Sequence, residues 1–237
     1  MNERLIGIIV SSFTKILIPG IKVTIPLTLL SFALSLVLGL FLAIVQVANI
    51  KLLKQISIIY IWIFRGTPLI VQLFIIFFGF PSIGIMIDAF PAAVLAFGLN
   101  LAAYNAEVFR SAILAIPNGQ LEASYMIGLS YPQAMKNVIL PQSFPIAFPS
   151  LFNNLISLLK DTSLASSITV IELFTSAQQI AARTYEPFAL YLEAAFIYLI
   201  FSTLLTMLQS YLEKKLVWRS DKASGTKILG RNKAMVG

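Results

Sequence analysis

The chain has 237 residues, of which 58% are hydrophobic and 11% charged, whereas soluble domains carry about a quarter charged residues. Cysteine and histidine are both absent, which removes disulfides, thiolate nucleophiles, Cys/His zinc sites, Ser-His-Asp chemistry and the usual proton shuttle near neutral pH. The net charge of +7 does not mark a nucleic-acid binder, because the cations crowd into a tail (Lys214, Lys215, Arg219, Lys222, Lys227, Arg231 and Lys233 against Asp221) directly after an apolar stretch, which is the positive-inside signal and an attraction to anionic lipid headgroups.

Several runs are long enough to cross a bilayer, which takes roughly 20 apolar residues per helix, so the expected fold is an all-α polytopic membrane protein. The N-terminus lacks the compact apolar core and small-residue cleavage site of a signal peptide. Residues 1–18 are expected as an interfacial segment with an amphipathic helix over 4–18, and residues 19–215 as the transmembrane domain. Val23 to Ile50 carries no charge and forms the first span; Lys51 and Lys54 follow in a short loop. The second span runs from Ile56 to Phe80 and is interrupted by Arg65-Gly66-Thr67-Pro68. The third covers Phe90 to Ile116, and the fourth Pro141 to Asp161. Residues 163–182 form a less hydrophobic helical segment carrying Glu172, and the fifth span covers Phe188 to Leu212. Five spans with a cytoplasmic basic tail (216–237) put the N-terminus outside, and put Lys51, Lys54 and the loop 117–141 on the cytoplasmic side.

Within that loop the local chemistry predicts two short helices meeting at Gly128. Pro117 ends the third span, and Asn118 is placed as N-cap of residues 119–127. Gly128 supplies a left-handed residue that ends a helix without a Cβ clash. Ser130 and Gln133 have capping-box spacing, Pro132 suits a first helical turn, and Pro141 is placed at the start of the fourth span.

The segment Asn118-Gly119-Gln120-Leu121-Glu122-Ala123-Ser124-Tyr125-Met126-Ile127-Gly128-Leu129, followed by Val138-Ile139-Leu140-Pro141, resembles the Glu-Ala-Ala loop of permease subunits of binding-protein-dependent ABC importers. Ser124 stands where that motif has its second alanine, and Val138 where isoleucine is common. Arg65-Gly66-Thr67-Pro68-Leu69, Ala103-Tyr104-Asn105-Ala106-Glu107 with Arg110, Leu140-Pro141-Gln142 and Ser157-Leu158-Leu159-Lys160-Asp161-Thr162-Ser163-Leu164 resemble the polar-amino-acid permeases, over about residues 20–215. Within that family, Phe78-Gly79-Phe80-Pro81, Leu99-Asn100-Leu101-Ala102-Ala103-Tyr104 and Ala177-Gln178-Gln179-Ile180 look closest to L-cystine permease subunits. The resemblance implies a type I importer permease fold in a bacterial cell membrane. It also implies a second permease chain, identical or not, two ATPase subunits that hold ATP-Mg, and an extracytoplasmic solute-binding protein. Glu122, Ala123, Gly128, Leu129 and Pro141 would form the ATPase-coupling surface. No G-x-x-x-x-G-K-[ST] sequence occurs, so no cofactor and no catalytic residue are expected in this chain.

A charge at the centre of a span costs roughly 2.5 to 3.5 kcal/mol, so intramembrane ions need reasons to be there. Arg65 beside a Gly and a Pro either faces the translocation path or pairs with an inter-helix carbonyl or Glu107, since broken helices persist only where protein or a watery cavity surrounds them. Asn100, Tyr104, Glu107 and Ser111 share one helix face, as a pore lining would, while Arg110 can neutralise Glu107 within the helix. Lys160 and Asp161 either serve the carboxylate and ammonium of a zwitterion or form a helix-end charge pair. Glu193 has no evident partner and is placed near the outer interface. The substrate-binding candidates are therefore Arg65, Asn100, Tyr104, Glu107, Lys160 and Asp161. The substrate expected from the resemblance is L-cystine, with arginine, glutamine or histidine as alternatives. An ion-coupled secondary transporter is the rival class, against which the lack of visible duplication counts.

Overall fold

The computed structural model describes residues 3–224, with side chains as far as Leu216; the remainder of the basic tail lies outside the described residues. Helices account for nearly all of it, and no strand occurs among the described residues. Helices α1 (Glu3–Pro19) and α2 (Ile25–Val47) are joined by a π-helical turn at Gly20–Thr24 into a single stretch of 45 residues. The helix expected over 4–18 is present as α1 and runs on into α2 through that turn. Ser12 and Ile16 of α1 are buried, and Ile16 packs in one cluster with Leu173, Ala177, Ala194 and Ile197.

Next come α3 (Lys51–Gly66) and α4 (Leu69–Phe74), followed by a π-turn at Ile75–Gly79 and a 3-10 turn at Phe80–Ile83. α3 and the segment after it are bent by 106° at the Gly66-Thr67-Pro68 interruption. α5 (Ala89–Leu114) is the central helix. The loop that follows carries α6 (Asn118–Met126) and α7 (Tyr131–Ala134), and a third π-turn (Met135–Ile139) leads into α8 (Leu140–Asp161). A 3-10 segment (Thr162–Ile168), α9 (Leu173–Thr184) and the long α10 (Pro187–Ser224) complete the chain. The helical segment expected at 163–182 is therefore two pieces separated by Thr169 in a left-handed conformation (φ 66°).

All three π-turns stand two residues before a proline: Pro26, Pro81 and Pro141. A proline inside an α-helix has no N–H and its ring collides with the carbonyl four residues back. In each case the residue before the proline bonds five residues back instead, Ile25 to Gly20, Phe80 to Ile75 and Leu140 to Met135. The widened turn moves the crowded carbonyl aside and the helix continues. Pro141 accordingly does not start a helix as expected; α7 and α8 form one uninterrupted helical path from Tyr131 to Asp161.

The core is built on α2 against α5, with small residues at the contact as close helix packing in membranes requires. A Cβ on Gly39 would lie 3.0 Å from the Asn105 Cβ and 3.1 Å from both the Ala102 oxygen and the Ala106 nitrogen. Gly98 lies under the Leu34 side chain in the same way. Across this seam Asn105 Nδ2 donates to Ser35 Oγ at 2.9 Å, and Asn154 Nδ2 of α8 donates to Asn105 Oδ1 at 2.8 Å, linking three helices through the fully buried Asn105.

By length and composition, Glu3–Val47, Ala89–Leu114 and Pro187–Leu216 can each cross a membrane, and the bent α3–α4 pair can make a fourth crossing. α8 spans 22 residues but carries Asn153, Asn154 and several serines. Two of these polar groups are used inside the protein, Asn154 with Asn105 and Asn153 accepting from Gln209 Nε2 at 3.2 Å.

Candidate functional site

A cavity of about 420 Å³ opens between the end of α3, α5 and α8, lined by Arg65, Tyr104, Glu107, Ser111, Ser150 and Asn154 among others. The i, i+3, i+7 spacing places Tyr104, Glu107 and Ser111 on this wall. The Arg65 guanidinium carbon stands 5.3 Å from the centre of the Tyr104 ring, an attraction worth roughly 0.5 to 1 kcal/mol where exposed and about 2 when desolvated. Glu107 pairs with Arg110 one turn along, Nη2 to Oε1 and Nε to Oε2 at 3.1 Å; this is the single salt bridge among the described residues. Arg65 therefore carries the cavity's one charge without a salt-bridged partner among those residues.

Asn100 is not part of the cavity wall. It is buried, and its Nδ2 donates to the Phe64 carbonyl (3.1 Å) and to Gln72 Oε1 (3.0 Å). Lys160 lines a different cavity, about 430 Å³, with Ser163, Phe174, Tyr191, Tyr198 and Ser202. Asp161 is exposed at the end of α8, and no salt bridge joins it to Lys160. The six substrate-binding candidates are thus divided: Arg65, Tyr104 and Glu107 meet in one cavity, Lys160 stands in another, and Asn100 and Asp161 belong to neither.

On the loop, Gly128 has φ 82°. The Gly128 N–H bonds the Tyr125 carbonyl at 2.9 Å and the Leu129 N–H bonds the Ser124 carbonyl at 3.0 Å, a helix-ending arrangement that satisfies the orphan carbonyls of α6. Ser130 N donates to Gln133 Oε1 at 2.9 Å, forming the capping box with Pro132 in the first turn. Asn118 is the first residue of α6 and Pro117 takes the cap position, which corrects the N-cap assignment. Ser124 is buried and its hydroxyl is spent on the Gln120 carbonyl at 2.7 Å, so a small polar residue replaces alanine there without loss. Leu121 packs with Ile113, Met135 and Ile139. Glu122, Ala123 and Pro141 face outward, Leu129 is half-buried, and Tyr125, Met126 and Ile127 form an exposed apolar knob. Beneath it the Tyr131 hydroxyl is buried without a partner, and burial, with Tyr125 beside it, pushes its pKa up.

Two buried carboxylates were not anticipated as partners. Glu172, fully buried, caps α9 by accepting from Thr175 N at 2.7 Å and also accepts from Tyr198 Oη (2.8 Å) and Thr24 Oγ1 (3.3 Å). Glu193 is 7% exposed and takes a hydrogen bond from Ser12 Oγ of α1 at 2.5 Å, the partner that its own sequence neighbourhood did not reveal.

Residues 35–218 match the family described as binding-protein-dependent transport system inner membrane component. The chain is 48% identical over 206 residues to the L-cystine transport system permease protein TcyB of Bacillus subtilis, covering 86% of this chain and 88% of that one. It is 41% identical over 205 residues to the arginine transport system permease protein ArgU of Corynebacterium glutamicum, covering 81% and 65%. Among solved structures, an amino acid ABC transporter crystallised with histidines superposes with a TM-score of 0.80 at 35% identity, over 87% of this chain and 96% of that one.

Proposed function

The chain belongs to the binding-protein-dependent inner membrane component family as the permease component of an ABC amino-acid importer, and from that premise we propose that L-cystine is the amino acid it carries. The observation that carries the choice of substrate is the 48% identity to an L-cystine permease over 206 residues, against 41% to an arginine permease. The cavities are compatible with it. Cystine has two zwitterionic heads, and each of two cavities of similar size presents one cation, Arg65 or Lys160, to a carboxylate.

The working assembly in this reading is a pair of permease chains, two ATPase subunits holding ATP-Mg and an extracytoplasmic binding protein. The ATPases dock on Glu122, Ala123, Gly128, Leu129 and the exposed Tyr125-Met126-Ile127 knob. The N-terminus lies outside and the C-terminus in the cytoplasm. ATP binding on the partner subunits drives the permeases between inward- and outward-facing states, and the substrate passes along the wall of Arg65, Tyr104 and Glu107.

Proteoliposomes containing the purified complex and its binding protein test this with a panel of cystine, arginine, glutamine and histidine. Uptake that needs internal ATP and favours cystine supports the reading. Preference for another of the panel overturns the substrate, and uptake driven by an ion gradient without ATP overturns the mechanism.

A further inference from the structure

The bend between α3 and α4 leaves a definite deficit. Pro68 has no N–H, so the Phe64 carbonyl, four residues back, loses its helical donor. Two side-chain amides supply it: Gln72 Nε2 at 2.9 Å and Asn100 Nδ2 at 3.1 Å. Gln72 Nε2 also reaches Thr67 Oγ1 at 2.8 Å and the Thr67 carbonyl at 3.2 Å, while its Oε1 accepts from Asn100 at 3.0 Å. The Thr67 hydroxyl in turn donates to the Ile63 carbonyl at 2.8 Å. Gln72 and Asn100 are both more than nine-tenths buried, so their hydrogen-bonding capacity has nowhere else to go.

This clasp grips the residue directly before Arg65. Asn100 lies one helical turn from Tyr104, whose ring carries the Arg65 guanidinium. One face of α5 thus fixes the backbone on one side of Arg65 and the charged head on the other.

We propose that Gln72 and Asn100 are positioning residues that replace the donor Pro68 lacks and so hold the Arg65 guanidinium in the cavity as its anion-binding group, the contact for a substrate carboxylate. The assignment of the carboxylate rests on the amino-acid importer reading; the positioning of Arg65 does not. Without the clasp the end of α3 unwinds by a turn, and Arg65 loses both its fixed stem and its seat on Tyr104. Asn100 then serves the site through Arg65 and not by touching substrate.

The experiment reads the cavity's electrostatics directly in this cysteine-free chain. Ser111 lines the same cavity, and Ser111→Cys gives a single thiol there in the complex with its ATPase subunits. Rates of modification by an anionic and a cationic methanethiosulfonate reagent are compared. A cation facing the cavity favours the anionic reagent by about tenfold through local steering, and Arg65→Ala abolishes that preference. Gln72→Leu and Asn100→Ala each reduce it about threefold or more, and neither lowers it further when Arg65 is already alanine. Gln72→Met and Asn100→Ser, uncharged replacements that lack the amide donor, give the same reading if the first pair is not recovered in the membrane. A full preference in the clasp variants, with Arg65→Ala abolishing it, assigns Gln72 and Asn100 to stability alone and overturns the proposal. An unaltered preference in Arg65→Ala overturns it as well. The thiol needs no substrate, so a failure here is distinct from a failure of cystine uptake in the reconstituted transporter.

Discussion

Gly128 gives the sharpest test of the coupling loop, because its environment isolates one physical effect. Its φ is 82°, and a Cβ built on it meets no atom within 4 Å. Gly128→Ala therefore creates no collision; it only forces an L side chain into the left-handed region, at a cost of about 1 to 2 kcal/mol. At 1.4 kcal/mol per tenfold, the ratio of loop holding the α6–Gly128–α7 geometry to loop that has lost it falls by about 5- to 30-fold. Stimulation of the ATPase by substrate-loaded binding protein should fall in proteoliposomes by up to that factor, with the complex intact. Asn, which tolerates this conformation, should lose less, and Gly128→Asp should also uncouple by placing a carboxylate on the docking face. Gly84 is the internal control: its φ is 83°, its surroundings are equally open, and it stands in the loop before α5. Gly84→Ala carries the same strain and should leave coupling alone. Wild-type stimulation in Gly128→Ala, or an equal loss in Gly84→Ala, would refute the reasoning.

Gly39→Ala should be felt in stability, since its Cβ meets backbone atoms at 3.1 Å that cannot swing away; overpacking of about 1 to 3 kcal/mol, at about 2 to 4 °C per kcal/mol, should lower the melting temperature in detergent, whereas Gly119→Ala, with open space around it, should not. Met86 and Met126 are each 87% exposed, so with a membrane-impermeant maleimide Met86→Cys should label in intact cells and Met126→Cys only once the membrane is opened; labelling of both in intact cells, or of neither, would exclude the proposed topology. Lys160→Ala removes one charge-assisted hydrogen bond, worth roughly 1.5 to 3 kcal/mol, and should lower cystine affinity or rate by about ten- to a hundredfold without weakening ATPase docking; normal transport would remove Lys160 from the site.

Features set by neighbours in sequence were readable without coordinates. Gly128 before Leu129, the Ser130–Gln133 capping box and the interruption at Gly66-Thr67-Pro68 all rest on backbone rules acting over a few residues, and each stands where those rules put it. The prolines were harder. Nothing in Leu140-Pro141 tells a helix start from a helix that widens by one residue, because the difference lies in which carbonyl receives a bond. Long-range polar pairs were not readable at all. Asn100 shares a helical face with Tyr104, yet its partners are Phe64 and Gln72; Glu172 finds Thr24 148 residues away, and Glu193 finds Ser12 181 residues away. A side chain inside a span signals only that it needs a partner, and packing decides whether that partner is water in a cavity or another helix.

The continuity of α7 with α8 has a mechanical consequence. From Tyr131 to Asp161 the chain is helical without a gap, a rod of about 45 Å at 1.5 Å per residue. On its other side α6 is set off from α5 by Ala115-Ile116-Pro117 and from α7 by Ile127-Gly128-Leu129-Ser130. Docking force delivered to α6 meets one short joint on each side, residues 115–117 toward α5 and residues 127–130 toward α8, and beyond the second lies the longer helical path, Tyr131 to Asp161 against Ala89 to Leu114. In the proposed assembly a tilt of α8 would move Lys160 at its far tip and Asn154, which meets Asn105, nearer its middle, and so shift one wall of each cavity.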